Sequence, residues 1–326
     1  MSIAPPPPGL DEDIVYDDRV TSGDSMHALI DTDPGIDDAL ALLYAWGSPG
    51  LTVAGITTVA GNVEVHDATV NLFRLLGLRR PQPEPPVAQG AAQPLARPLV
   101  TAKGYHGVDG LADLPDWPPV HPALPAIDAA DFILDMTRHA AEPLTLIALG
   151  PLTNVAHALA RGHETLHRLA RVVVMGGALD VPGNVTPTAE FNLHVDPEAA
   201  VRVLDSGLPL DVVPLDATGQ ALVARADLAR ALARRPGPLA TRIAAFTERG
   251  FRVDAERGTA GMILHDPLAV AVAVDPTLVQ WESTRLAVGA DGTTRRAAGP
   301  PNCRVARVVD VPRFLAAFLD RLCPAS

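Results

Sequence analysis

The chain has 326 residues, 48% hydrophobic and 4% aromatic, and its 38 Asp and Glu against 26 Lys and Arg give a net charge of −12. That hydrophobic content excludes a disordered chain, and two cysteines, Cys303 and Cys323, are too few for a disulfide framework or a Cys-based zinc site. The acidity disfavours nucleic acid as a partner, because phosphate binding draws on clustered Lys and Arg and Lys103 is the only lysine, and no apolar run reaches the ~18–20 residues of a membrane span.

Residues 1–26 hold Pro5 to Pro8 and six acids against one base, Arg19, a net of −5, and read as a disordered acidic tail. The stretch lacks the basic-then-apolar order of a signal peptide, so a cytoplasmic protein with no membrane partner is expected. Residues 27–326 read as one domain. Strands are expected at Ala28–Ile30, Leu51–Thr57, Leu144–Leu149, Arg171–Met175, Leu210–Leu215 and Arg304–Val309. Helical patterns fall at Asp37–Trp46, Val65–Leu76, Ile127–Ala140, Thr153–Ala160, Pro197–Leu204, Asp227–Ala233, Ala240–Arg249, Pro267–Val274 and Pro312–Leu322. Asp196-Pro197-Glu198 is a start signal, with Asp196 as N-cap and proline in the first turn. Such alternation predicts an α/β fold: an open, mostly parallel but mixed sheet, Rossmann-like, with helices on both faces. Ligands of these sheets bind outside the carboxyl ends of the strands.

The most informative segment is Leu29-Ile30-Asp31-Thr32-Asp33-Pro34-Gly35-Ile36-Asp37-Asp38-Ala39-Leu40, a buried strand that runs into four carboxylates and then an apolar helix. A helix N-terminus favours an anion by ~0.3–1 kcal/mol, whereas two unit charges 4 Å apart at an effective dielectric near 20 repel by roughly 4 kcal/mol. The helix alone cannot hold the cluster ionised: some acids are protonated, all face water, or a divalent cation binds. Strand alternation puts Asp31 and Asp33 on one face and Thr32 on the other. All-oxygen ligation suits Ca²⁺ or Mg²⁺ rather than zinc.

Farther on, Gly183–Asn192 is an interrupted loop ending in Glu190 and Asn192, whose amide and carboxylate groups fit a polyhydroxylated ligand. Leu149 offers a cation only its carbonyl. Asp266 precedes Pro267 and an apolar helix, and alone reads as an N-cap. For His106, between Tyr105 and Gly107, an exposed place in a mobile loop is the plainer expectation.

Asp31–Ala39 resembles the N-terminal signature of the inosine-uridine preferring nucleoside hydrolase family. The resemblance continues in family order through Thr58–Asn62, His106–Leu111, Leu149–Asn154, Val174–Gly177, Gly183–Asn192 and Leu264–Pro267. It implies a nucleoside hydrolase fold, and a catalytic domain that cleaves nucleosides to ribose and a free purine or pyrimidine base. Ca²⁺ would be held by Asp33, Asp38, Asp266 and the Leu149 carbonyl. Asp33 would be the general base and His265 a proton donor to the leaving group; Asp31 would stand behind the ligands. Asp37, Asn62, His106, Met175, Asn184, Glu190 and Asn192 would meet the substrate. A salvage role and a homodimer or homotetramer are implied as well. Family members that handle pyrimidines often place Tyr on the helix before His-Asp, whereas residues 246–252 here have Phe and Arg. Two rivals exist. An aspartyl-nucleophile phosphatase would need a phosphate-binding cation, and a nucleoside sensor on the same fold would bind without releasing base.

Overall fold

A computed structural model describes residues 26–122 and 124–323; the expected tail lies outside them except for Met26. The elements run β1 (Met26–Thr32), α1 (Ile36–Trp46), β2 (Leu51–Thr58), α2 (Val65–Arg79), β3 (Val87–Gln89), α3 (Lys103–His106), α4 (Ala129–His139) and β4 (Thr145–Ala148). Then come α5 (Thr153–Leu166), β5 (Arg171–Met175), α6 (Phe191–Val195), α7 (Pro197–Leu204), β6 (Leu210–Val213), α8 (Leu215–Thr218), β7 (Leu222–Val223) and α9 (Arg225–Ala233). The chain continues with α10 (Pro238–Glu256), β8 (Met262–Ile263), α11 (His265–Val274), β9 (Val279–Thr284), β10 (Leu286–Val288), β11 (Thr294–Arg296), β12 (Cys303–Val309) and α12 (Val311–Arg321).

The central sheet has eight strands in the order β3-β2-β1-β4-β5-β6-β12-β9. All pair in parallel except β9, which is antiparallel to β12. Alternation along the inner strands sorts their side chains. Ala28, Ile30, Ile147 and Val173 join the core with α1, α10, α11 and α12. Leu29, Leu146, Ala148, Val172 and Val174 join the core with α4, α5 and α7 on the other face. Helix α11 is buried all round from Leu268 to Ala273, as its uninterrupted apolar sequence requires.

All six expected strands and nine expected helices form, Arg171–Met175 and Pro197–Leu204 with the expected bounds and the others with ends shifted. Helix α5 runs past Ala160 to Leu166 with a kink at Gly162 (φ −161°, ψ 57°), and α10 extends to Glu256 instead of stopping at Arg249. Strands β3 and β7 to β11 were not expected, nor were α3, α6 and α8; all nine are short or, like β9, half polar.

The topology fixes where a site belongs. From β1 the chain moves outward through β2 to β3, then returns to β4 on β1's other side and proceeds through β5 to β6. The carboxyl ends of β1 and β4 flank the reversal, where no crossover fills the crevice. Asp33–Asp38 follow β1 and Leu149 follows β4.

Candidate active site

Strand β1 ends at Thr32, and Asp33-Pro34-Gly35 turn the chain into α1, whose N-cap is Gly35. Asp38 stitches this turn: Oδ1 accepts from the Thr32 hydroxyl (2.5 Å) and the Asp33 amide (3.3 Å), and Oδ2 from the Gly35 amide (3.0 Å). Asn62, just past β2, clamps the same group. Its backbone N–H donates to Asp33 Oδ2 (2.6 Å), and its Nδ2 donates to Asp38 Oδ2 (2.9 Å) and the Asp33 carbonyl (3.2 Å).

The expected shared face of Asp31 and Asp33 does not hold. Asp31 is still inside the ladder, opposite Thr57 of β2 and, as the last rung against β4, Ala148, and its Oδ1 accepts from Thr57 (2.6 Å) and from Asn154 of α5 (2.7 Å). Asp33 lies beyond the final strand residue, where alternation no longer governs it, and joins the α1 acids. Burial pushes the Asp31 carboxyl up to about 7, and its Oδ2 is buried without a hydrogen bond.

Asp37, Asp38 and Asp266, the last on the first turn of α11, each offer a carboxylate oxygen, and these atoms lie within 4.8 Å of one another. Burial first, and the neighbouring acids next, push Asp37 up to about 8. The same causes hold Asp33 and Asp266 well above the ordinary carboxylate range. Asp38, beside Asp266, is likewise held above the ordinary carboxylate range, by burial first. Among the described residues no Lys or Arg pairs with any of the four. Oxygen donors that repel one another and have no cationic side chain as partner fit a hard divalent cation. The Leu149 carbonyl at the end of β4 accepts from Asn192 Nδ2 (2.6 Å) and keeps a second lone pair.

A cavity of about 920 Å³ opens onto this cluster, lined in part by Asp37, Asn62, His106, Leu149, Met175, Asn184, Glu190, Asn192, His265 and Asp266. Asp33 and Asp38 lie behind that lining, tied to it through Asn62. Asn192 Nδ2 also donates to Met175 O (3.2 Å), so the ends of β4 and β5 are tied together and Oδ1 is left for a ligand. Glu190 caps α6 and takes three backbone N–H groups, from Gly177, Asn192 and Leu193 (2.7–3.1 Å), which leaves about one of a carboxylate's four acceptor positions for a ligand. Asn184 Oδ1 accepts from the Phe191 amide (2.9 Å), with its side chain at the rim. His265 Nδ1 meets the Thr218 hydroxyl at 2.7 Å. His106, against expectation, is buried: it ends α3, and its Nδ1 accepts the first N–H of α1, from Ile36 (3.0 Å), which puts the proton on Nε2. Burial pushes His106 down to about 3 and His265 to about 4.

The sequence profile of a family described as inosine-uridine preferring nucleoside hydrolase matches residues 28–316. The chain belongs to this family. It is 38% identical over 297 residues to the non-specific ribonucleoside hydrolase RihC of Klebsiella pneumoniae, covering 88% of this chain and 94% of that protein. It is 40% identical over 264 residues to the pyrimidine-specific ribonucleoside hydrolase RihA of Salmonella enteritidis, covering 79% and 83%. Among solved structures, a purine-preferring ribonucleoside hydrolase from Gardnerella vaginalis superposes with a TM-score of 0.86 at 32% identity, covering 91% of this chain and 98% of that one.

In this nucleoside hydrolase the sequence had not singled out Thr218, Asp254 or Arg257, and had noted Tyr105 only as a flank of His106. The Tyr105 hydroxyl donates to Asp254 Oδ2 (3.0 Å) across 149 positions of sequence, a pairing no local pattern announces. Residues 246–252 of α10 carry no Tyr, and the phenol on that wall is supplied by α3 instead. Lys103, the lone lysine, is ion-paired with Glu64. No helix among the described residues is long and apolar enough to cross a membrane.

Proposed function

We propose that the protein hydrolyses the N-glycosidic bond of nucleosides in a Ca²⁺-dependent reaction, giving ribose and a free purine or pyrimidine base. The observation that carries this reading is the buried acid cluster at the sheet's reversal point, with no cationic side chain to balance it among the described residues. Asp33, Asp38, Asp266 and the Leu149 carbonyl would hold the ion. When bound, the cation lowers the pKa of a water ligand and orients ribose hydroxyls.

Asp33 takes a proton from the attacking water; its Oδ2 is fixed by the Asn62 amide, which fixes the direction of transfer. Asp37 binds ribose hydroxyls, and Asn184, Glu190, Asn192 and Met175 hold the rest of the sugar. The carboxylates stabilise the positive charge that grows on C1′ as the glycosidic bond lengthens. His265, oriented by Thr218, and His106, with its proton on Nε2, face the leaving base as donors. A salvage role, a cytoplasmic location and a homodimer or homotetramer accompany this reading, the last checked by sedimentation. Asp33→Ala is the test: free base and ribose, measured by chromatography, should fall by about 10²-fold or more. Unchanged turnover would remove Asp33 as the base.

A further inference from the structure

Part of the cavity wall is a small assembly on α10 that the proposed proton transfers leave unused. Arg249 fastens α3 to this helix through the carbonyls of Tyr105 (2.8 Å), Gly104 (3.1 Å) and Lys103 (3.3 Å). Gly250 leaves room for Met262 of β8, whose Sδ would stand 2.6 Å from a Cβ there, and the Tyr105 hydroxyl lies at contact distance from the same position. One turn on, Asp254 accepts from the Tyr105 hydroxyl and, at 3.0 Å, from the Ile263 amide. Tyr105 packs edge-on against His106 at 4.8 Å.

Arg257 caps the C-terminus of α10, and its guanidinium carbon lies 5.3 Å from the Tyr105 ring centroid. It lines the cavity together with His106 and His265. Among the described residues it is the only Lys or Arg in a lining that includes Asp37, Glu190, Asp216, Asp254 and Asp266. Among the described residues its guanidinium has no hydrogen-bonded or ion-paired partner, so five N–H donors held over a ring face remain open to a ligand.

We propose that Arg257 stabilises the negative charge taken up by the departing base, with Tyr105 and Asp254 as its positioning residues. The inference rests on the nucleoside-hydrolysis reading. In that reaction the water oxygen bonds to C1′ and the C1′–N electron pair leaves with the base. One water proton passes to Asp33, and the base nitrogen takes its proton from His265 or from solvent water. Until that proton arrives the pair is spread over ring nitrogens and any carbonyl oxygen of the base, acceptors that a guanidinium fork matches. A cation is useless to the electron-poor sugar, so its place beside the two histidines is explained by the leaving group.

The experiment compares inosine and uridine with p-nitrophenyl β-D-ribofuranoside, whose phenolate departs unaided, all with Ca²⁺ present. Arg257→Gln should lower kcat on the nucleosides by about 10- to 100-fold, less than for a fully buried donor because the side chain is exposed, with KM moving less than about threefold. The loss on the aryl riboside should be at least about tenfold smaller. Arg257→Lys should retain more nucleoside activity than Arg257→Gln, and Arg252→Gln, a neutralisation at an exposed site on the same helix, should leave both substrates unaffected. Equal losses on both substrate types, or none on the nucleosides, would overturn the assignment. Wild-type protein that cleaves neither type would instead remove the hydrolase reading beneath it.

Discussion

Replacing Asp266 by asparagine should make the metal-free protein more stable while destroying its response to calcium. The Asp37, Asp38 and Asp266 oxygens lie within 4.8 Å of one another, so each ionised pair repels by at least about 3.5 kcal/mol at an effective dielectric near 20. The first turn of α11 returns only ~0.3–1 kcal/mol to a negative Asp266. Proton uptake by the raised carboxyls relieves part of the repulsion, whereas the neutral side-chain amide introduced by Asp266→Asn removes the charge without any ionisation. The expected gain for metal-free Asp266→Asn near pH 8 is therefore about 1–3 kcal/mol, a few degrees in Tm. The sign of the pH dependence follows. Carboxyls held above 3.8 when folded, Asp37 at about 8, bind protons more tightly folded than unfolded. Metal-free wild type therefore loses stability as pH rises from about 4 through about 8, and Asp266→Asn flattens that slope. Calcium at about 100 times its Kd should add about 2.7 kcal/mol to wild type and nothing to the variant. Calorimetric melts in chelator and in calcium give all of these values. A variant that melts below wild type in chelator, or a wild type indifferent to calcium, would refute the reasoning.

Thr218→Val removes the hydroxyl at His265 Nδ1 and should lower kcat about tenfold with little change in KM, measured by steady-state base release. Gly61→Ala would put a Cβ 2.1 Å from Asp33 Oδ2; the displaced carboxylate should reduce kcat/KM by about 10²-fold, again by base release. Asp211 on β6 forms a buried pair with Arg304 (2.8 and 3.0 Å) and lies 3.5 Å from Arg171. Asp211→Ala should cost about 3–5 kcal/mol in denaturant unfolding, because it leaves buried charge behind, while the folded fraction keeps its kcat.

What the sequence made legible was contiguous. The strand-to-acid-to-helix run of Leu29–Leu40 announces β1, α1 and the cluster together, because hydrophobic period and charge change within twelve residues. Alternating strands and helices then place that run at the carboxyl edge of a parallel sheet. Groups assembled from distant segments were not legible. His106 reaches the α1 N-terminus across 70 positions, and in a Gly-rich segment it reads as exposed. The divergence of Asp31 from Asp33 depends on where pairing stops, and strand ends are set by neighbours rather than by the strand's own residues. Glu190 reads as a ligand contact and proves also to be a helix cap with three backbone donors, a duty visible only once Gly177 is brought beside it. Strand β9 escaped notice because Val279–Thr284 is half polar, as an edge strand can be.

The central claim is that the acid cluster is a calcium site serving nucleoside hydrolysis. Its most direct test is base release from inosine and uridine by chelator-stripped protein before and after calcium is restored. The account predicts no release in chelator and full recovery with calcium, whereas full activity in the stripped protein would contradict it.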